Sequence, residues 1–558
     1  MTVSEKGAQP KRQVTDTGEL RLRQLGYKQE LSRTLNTMVN FAVSYTIIGV
    51  LMGITGLYSL GFEYGGPVSV VWGWVVVSFF TLFIAASMAE ICSSYPTAGG
   101  LYFWSYSLAG PKYGPLCSWL TGWFNYLGFV CGMAAIDHIG ATIISTMVVL
   151  NTGTGLDGGY VASKEVTLAF LAGILVLQAI INSFHVNVLA FVEKAALYIE
   201  VGGLIIIVVT LFSVADRRQS AKYVFTHYEP AVDTGVHNSF YVFLLGMLMS
   251  SFTLLAYDAA THLTEETVGA DWTSPVSIVS AVATAAVAGF IYILTLTFCI
   301  QDPATLLDPG NATAGLSAAA QIFYDVFDSA GKSPKGVIAL LTIPLMASYF
   351  SGMSQLAATS RVLFAITRDK AIPFSGFLHW THPKSKTPIV AVWVSAALAF
   401  CFALFSLKSY IAFTAVTSLS TIGSMTAYGI PIFLKQLFPH NFHPGPFNLG
   451  RFSPIVGWVA IIYIVFMVVV FCLPTYYPID SNTLNYAPVT GGAVILVALF
   501  LWVIVARKRY LGPVRTLRAE DSKTDETYSG GNLYPEPVYK NEYSVHGKSA
   551  PVKPAEAA

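Results

Sequence analysis

Asp258, His262, Glu265 and Glu266 stand together in the stretch LLAYDAATHLTEET, directly after an apolar run from Phe240 to Leu255. Ionisable side chains placed at the end of such a run can meet a charged substrate, carry a proton, cap a helix or close an ion-paired gate. Asp258 has two readings. It is either a functional carboxylate or the N-cap of a helix that resumes after a break, accepting backbone N–H bonds there. Both require the helix to be interrupted at Ala256, Tyr257 and Asp258, with unwound backbone facing a polar cavity and not lipid. His262, Glu265 and Glu266 follow Asp258 by four to eight residues, so a resumed helix carries them about 6 to 12 Å further along. They are expected at a solvated cytoplasmic exit. The alternative is a latch that pairs Glu265 or Glu266 with a base such as Arg361 or Arg368.

Other apolar stretches also carry groups that hydrocarbon disfavours. Asp137 and His138 lie far along GMAAIDHIGAT, where Asp137 could pair with a substrate amine or a proton, or where both residues could reach water near the extracellular helix end. Glu200, in EKAALYIEVGGLIII, is deeper. An ionised carboxylate is costly in such a place, which makes Glu200 a candidate to bind and release a proton. Its bland readings are an interhelical hydrogen bond as the neutral acid, or a pair with Lys194. Phe252 and Tyr257 could close over a bound molecule or stack on a cationic amine, or simply pack. Ser351 and Ser354 in YFSGMSQLAATS could point hydroxyls toward Glu200 or serve close helix packing.

The elements that must position these groups follow from composition. Of 558 residues, 54% are hydrophobic and 11% charged, where a soluble domain has about a quarter charged. The mean hydropathy is +0.58. A span needs roughly 20 apolar residues, and twelve segments qualify: 39–60, 68–91, 116–150, 166–184, 188–214, 240–262, 276–300, 337–367, 388–405, 410–434, 454–473 and 488–506. The expected fold is therefore an all-α integral membrane protein of twelve transmembrane helices. Two segments look interrupted. The first, YTIIGVLMGITGLY, has Gly49, Gly53 and Gly56 at its centre, which serve either a break or a GxxxG packing face. The sixth is the Asp258 segment. Broken helices in corresponding places of two halves mark a binding site at the midplane, and suggest two five-helix inverted repeats followed by two further helices.

Of the 32 Lys and Arg, all but Lys164, Arg217, Arg218, Lys222, Lys332, Lys335 and Lys408 fall on one side when both termini are cytoplasmic, the orientation the positive-inside rule selects. Residues 1–35 read as a cytoplasmic N-terminal segment, 36–510 as the twelve-span membrane domain and 511–558 as a disordered cytoplasmic tail rich in Lys, Glu, Pro and Ser. The polar start, with Glu5, Asp16 and Glu19, matches neither a signal peptide nor a transit peptide. Six cysteines show no paired spacing, so no disulfide framework is expected. Asn311-Ala312-Thr313 is a glycosylation sequon in a loop placed outside.

The motif search excludes classes. No G-x-x-x-x-G-K-[ST], H-E-x-x-H or G-x-S-x-G is present, which argues against an ATP-driven pump, a zinc peptidase or an α/β-hydrolase. The chain is expected not to be an enzyme, to need no cofactor or metal and to bind no nucleic acid. Its partners are the lipid bilayer, a small-molecule substrate and protons. A nutrient sensor using the same site is the competing class.

AEICSSYPTAGGLYFWS, LAGPKYGPLCSWLTGWFN, YDAATHLTEET, SRVLFAITRDKAIP and PGPFNLGRF together resemble the amino acid/polyamine/organocation superfamily. Within it the chain is most similar to plant bidirectional amino acid transporters and gamma-aminobutyrate permeases, over about Leu25 to Gly512. The resemblance implies secondary active transport of amino acids and related amines, gamma-aminobutyrate among them, by alternating access, with choline or polyamines as further possibilities. It also implies the five-plus-five inverted-repeat fold, with discontinuous first and sixth helices holding substrate between them. Carried over by position, the unwound part of the first helix falls at Gly49, Val50, Leu51, Met52 and Gly53, where a substrate carboxylate would meet free N–H groups at a helix start. From the sixth helix it brings in Phe252, Leu255, Ala256, Tyr257 and Asp258. Relatives usually have Gly where this chain has Ala256. At Glu200 the chain departs from the Lys of some relatives and the Asn of the plant subfamily, and Glu200 and Asp137 remain the proton-coupling candidates. The plasma membrane is the expected location, with an internal organelle membrane as the alternative.

Overall fold

The structure is a computed structural model and describes residues 16–513 except 28, 30, 32, 231–234, 373–374, 409, 481–483, 508–509 and 511. The side chains of 408, 410–414 and 505 also lie outside the description. The described residues fall in one compact unit, 1–517. Apart from Gly512 and Pro513, the tail expected to be disordered lies outside them.

The chain runs α1 (Thr17–Gln24), α2 (Thr37–Ile48), α3 (Val50–Glu63), α4 (Gly66–Ser94), α5 (Leu101–Thr152), α6 (Lys164–Asn182), α7 (Val186–Val214), α8 (Ala221–Thr226), α9 (Ser239–Thr253) and α10 (Ala259–His262). It continues through α11 (Ala270–Phe298), α12 (Ala318–Ser329), α13 (Pro334–Arg368), α14 (Ser375–Leu378), α15 (Ile389–Ala403), α16 (Phe405–Lys408), α17 (Tyr410–Leu437), α18 (Ser453–Cys472) and α19 (Ala487–Leu501). Ten helices among the described residues are long and apolar enough to cross a membrane, counting α2–α3 and α15–α16 as one each. The two other predicted segments fall on α17, of 28 residues, and on α9, which is short, with 15 residues, because its span is completed by the broken stretch that follows. The 52-residue α5 changes direction at Gly110, whose φ of 72° lies in the left-handed region just before Pro111.

The apolar core runs through the bundle, and the exposed apolar rows on α7, α18 and α19, such as Ile205, Ile462 and Leu496, are faces for lipid. The pairing of helices follows the two-repeat expectation for the first four positions: α3 packs on α9, α4 on α11, α5 on α13 and α6 on α15. Residues 16–35 pack onto one end of this bundle. The Asp16 carboxylate caps α1 at the N–H of Gly18 (2.7 Å) and Glu19 (3.2 Å) and also accepts the N–H of Gly269. Arg33 donates to the Thr267 carbonyl (2.7 Å), and Leu35 forms a parallel bridge with Thr267.

The PGPFNLGRF stretch is a strap at the same end. Ser93 Oγ accepts the Phe447 N–H (2.9 Å), and Glu90 accepts the Leu449 N–H (3.1 Å) and the Ser453 hydroxyl (2.7 Å) while pairing with Lys435. A Cβ on Gly445 would meet the Ser93 backbone at 2.6 Å, so only glycine allows the approach. All six cysteines are free. Asn311 is buried, its Nδ2 donates to the Thr305 carbonyl (3.1 Å), and its Oδ1 accepts from Thr313 and Gly315. The sequon therefore builds its own loop, and its amide is engaged where glycosylation would need it free.

Candidate functional site

Both predicted breaks are present, and each turns on one left-handed residue. Gly49 has φ +56° between α2 and α3, and Ala256 has φ +61° between α9 and α10. Glycine meets this conformation without cost, whereas an L-residue is strained there. Gly49 is also crowded: a Cβ would lie 2.9 Å from both Met52 Cε and Ser351 Oγ. The interrupted helices cross where a Cβ on Gly53 would meet Thr253 Cγ2 at 2.6 Å.

Breaking a helix frees backbone groups. The Gly53 N–H returns to the Gly49 carbonyl (2.7 Å), but the N–H groups of Val50, Leu51 and Met52 find no acceptor among the described residues. At the end of α9 the Thr253 and Leu255 carbonyls likewise receive no described donor. A narrow cavity opens between these ends. It is lined by Ile47, Ile48, Met52, Gly132, Ile136, Phe252, Thr253, Leu255, Ala256, Gln355, Ser420 and Ser424. No ionisable side chain is in that wall, so charge brought into it is met by helix ends and neutral polar groups. Ser420 donates to the Gly128 carbonyl (2.9 Å), and Gln355 Nε2 to the Phe129 carbonyl (3.0 Å). Gln355 Oε1 is buried with no partner among the described residues.

Of the sequence candidates, Met52, Phe252, Leu255 and Ala256 line this cavity. Gly49, Val50, Leu51 and Gly53 form the break behind Met52. Tyr257 and Asp258 are fully buried beyond it. The Tyr257 ring packs on Tyr428 with centroids 5.2 Å apart, so it is packing and does not close over the cavity. Asp258 makes no capping bond at the start of α10. Its carboxylate instead accepts from Tyr428 Oη (2.7 Å) and Asn125 Nδ2 (3.0 Å), and lies 3.3 Å from His262 Nε2. Tyr428 also receives the Ala256 N–H (3.1 Å), so one phenol ties both sides of the break. Gly132, Ile136, Gln355, Ser420 and Ser424 escaped the sequence reading because they sit on uninterrupted helices and carry no charge to mark them.

The late charges are not at a solvated exit. His262 and Glu265 are fully buried and Glu266 nearly so. Glu265 pairs with Arg368 and Glu266 with Arg361 (2.9 Å), which is the latch arrangement. Tyr27 from the N-terminal segment lies under the Arg368 guanidinium, 4.5 Å from Cζ to the ring centroid. The Glu266 carbonyl accepts the N–H groups of Thr34 and Leu35, both at 2.9 Å.

The candidates for protons are also relocated. Asp137 does not reach water: it is fully buried, with Oδ1 accepting from Gln178 Nε2 (2.7 Å) and Oδ2 without a partner among the described residues. It faces α6 and α13, away from the cavity, where Gly352 leaves room for the pair. Glu200 is buried, both oxygens lack a partner among the described residues, and neither Lys194 nor Ser354 reaches it. Ser351 donates to the Ile47 carbonyl (2.9 Å) at the first break, and Ser354 Oγ lies within hydrogen-bond distance of both oxygens of Glu193 (2.8 and 2.9 Å). Glu193 is fully buried. Sequence reasoning passed over it because Lys194 beside it suggests a helix end, although its spacing of seven from Glu200 places both on one face.

Two interrupted helices around a neutral cavity, with an ion-paired latch at one end of a polytopic bundle, make this a membrane transporter. The chain belongs to the amino acid permease family, whose family model, described as amino acid permease, matches residues 39–499. It is 44% identical to the amino-acid permease BAT1 homolog of Oryza sativa subsp. japonica over 503 residues, covering 90% of this chain and 96% of that one. It is 42% identical to the amino-acid permease BAT1 of Arabidopsis thaliana, covering 90% and 98%. The GABA-specific permease of Saccharomyces cerevisiae is 29% identical, with 90% and 86% covered. The expected superfamily, the helical membrane fold and the permease function thus agree with what the chain is similar to.

Proposed function

We propose that this permease carries zwitterionic amino acids, gamma-aminobutyrate among them, by alternating access between the two broken helices. The observation that carries the reading is the pair of unpaired backbone sets across a cavity without charged side chains. The N–H groups of Val50, Leu51 and Met52 meet the substrate carboxylate at the positive end of α3. The Thr253 and Leu255 carbonyls, at the negative end of α9, meet its ammonium. Phe252, Ile136 and Met52 hold the apolar part, and Gln355, Ser420 and Ser424 face its far end.

Transport is driven by protons on buried carboxyls. Glu200, Glu193 and Asp137 make no ion pair within the described residues, so each is stable there as the neutral acid. Glu193 and Glu200 share the face of α7 turned to the first break and α13, which favours them over Asp137. The surplus of Lys and Arg supports cytoplasmic termini, with the latch on the cytoplasmic side and the plasma membrane as the proposed location.

The test is uptake of labelled alanine, gamma-aminobutyrate, lysine, glutamate and choline by purified protein in liposomes, with and without an inward proton gradient. Saturable uptake of at least one amino acid is expected, enhanced by the gradient in wild type and indifferent to it in Glu200→Gln or Glu193→Gln. No flux of any amino acid by folded protein would sink the reading.

A further inference from the structure

His262 lies between two acceptors. Its Nδ1 is 3.2 Å from the Ala98 carbonyl, and its Nε2 is 3.3 Å from Asp258 Oδ2. A carbonyl only accepts, so Nδ1 carries a hydrogen. In a neutral imidazole Nε2 would then be a bare lone pair facing a carboxylate oxygen. That is repulsive in a fully buried site. A hydrogen must therefore stand between Nε2 and Oδ2, so the pair holds one proton beyond a neutral ring and an ionised acid. The Asp258 carboxylate already takes donors from Tyr428 and Asn125, so it stands as an acceptor to three donors, and the proton is placed on the ring.

No other charge compensates the ring directly. Phe129 of α5 packs edge-on against the ring at 5.5 Å, and α10 packs on α2, α11 and α13. There Val43, Ile47, Ala358 and Val362 cluster with Ala259 and Leu263, while Arg361 of α13 is paired with Glu266 and Asp271 of α11 accepts from Thr17. Tyr428 on α17 meets the ring only through Asp258. The next charges lie beyond one peptide: the Ala98 N–H donates to Glu265 Oε1 (3.1 Å), and Glu265 pairs with Arg368. Ala98 thus joins His262 to the latch with its two backbone groups.

We propose that the Asp258–His262 pair is a gate-linked proton site: it holds its proton while the latch is closed and releases it from Nε2 to water when α10 moves and the latch opens. The released proton leaves a neutral imidazole with its hydrogen on Nδ1, and Asp258 stays ionised on Tyr428 and Asn125. The inference rests on the proposed transport cycle but not on which α7 carboxyl is used. Since the protonated form belongs to the closed latch, opening is favoured as pH rises.

The experiment is substrate counterflow in liposomes at equal pH on both sides, with alanine as probe. Wild-type exchange is expected to quicken by roughly threefold or more as the pH is raised from about 6 to about 8. In His262→Gln exchange should persist with that rise flattened. Asp258→Asn, whose amide can donate to Nε2 of a neutral ring, is a second variant with the same expectation. A variant that exchanges with the wild-type pH profile overturns the proposal. Nitrogen NMR of wild-type histidines needs no variant: a solvent-shielded imidazolium at neutral pH is expected, and finding every shielded ring neutral overturns it as well. Absence of counterflow in wild type counts instead against the transport reading.

Discussion

Arg368 Nη1 lies 3.1 Å from each carboxylate oxygen of Glu265, with both side chains almost wholly buried. Charges are taken into such a place only if paired. Tyr27 stacks on the same guanidinium and ties the N-terminal segment to the pair. Removing one partner strands a buried charge, which costs about 3 to 5 kcal/mol, while removing both costs far less than the sum. Glu265→Gln and Arg368→Gln are therefore each expected to lower the thermal midpoint and expose the cavity, with the double variant milder than either cost would predict by addition. Maleimide labelling of Thr253→Cys in a cysteine-free background reads the exposure. Fully additive losses would show that the two residues do not act as a pair.

The two breaks are predicted to respond in opposite ways to a single methyl group. Gly49→Ala forces an L-residue into left-handed backbone, about 1 to 2 kcal/mol, and drives its Cβ to 2.9 Å from Ser351 Oγ, so uptake and stability should both fall. Ala256→Gly relieves the same strain at φ +61°, offset by the greater freedom of glycine in the unfolded chain, about 0.5 to 1 kcal/mol. It should remain active, with a thermal midpoint equal to wild type or slightly higher. Equal damage at both positions would mean that the backbone, not the side chain, is unimportant to the break.

Asp325 supplies a pH prediction outside the membrane. It lies on α12, and burial, aided by Asp302 and Asp328, pushes its carboxyl up to about 6 against the opposing hydrogen bond from Gln321. A carboxyl raised in the folded state binds its proton more tightly there than in the unfolded chain, whose value is about 3.9. Its contribution to stability is therefore complete below about pH 4 and lost as pH rises through about 6. Asp325→Asn is expected to raise the thermal midpoint at about pH 7.5 and to leave it little changed at about pH 4. A shift of the same size at both pH values would remove the carboxyl as the cause.

The breaks were legible in the sequence because backbone departures need marked residues: Gly49 and Gly53 in one helix, and Asp258 after Ala256 in the other. The latch was legible only as an alternative, since the same acids seven and eight residues past Asp258 suit a solvated exit equally well, and burial depends on where the N-terminal segment packs. Asp258 shows the limit most clearly. Its position at a helix start suggests a cap, yet its donors come from Asn125 and Tyr428, more than a hundred residues away in either direction. Glu193 and Gln355 were illegible for a related reason. One looks like part of a charged helix end and the other is an uncharged residue on a continuous helix, and only the packing of α13 against α7 and α5 gives each a role.

Gln355 offers the sharpest test of how the cavity selects. Its Nε2 is held by the Phe129 carbonyl, which fixes the amide so that Oε1 is left as an acceptor without a partner. A substrate with a donor at its far end would satisfy that acceptor, whereas a purely apolar one would leave it bare, a difference of about 1 to 3 kcal/mol or roughly 10- to 100-fold in kcat/KM. Glutamine and methionine differ little in length and both are neutral, so their ratio isolates the effect. Gln355→Met is expected to reduce the glutamine-to-methionine ratio by about tenfold or more while alanine, too short to reach the group, is taken up at close to the wild-type rate. Because the variant also removes the second donor of the Phe129 carbonyl, which ties α13 to α5, some loss of thermal stability is expected without bearing on the ratio. If the ratio stays at the wild-type value while alanine uptake persists, Gln355 holds α5 to α13 and takes no part in recognising the substrate.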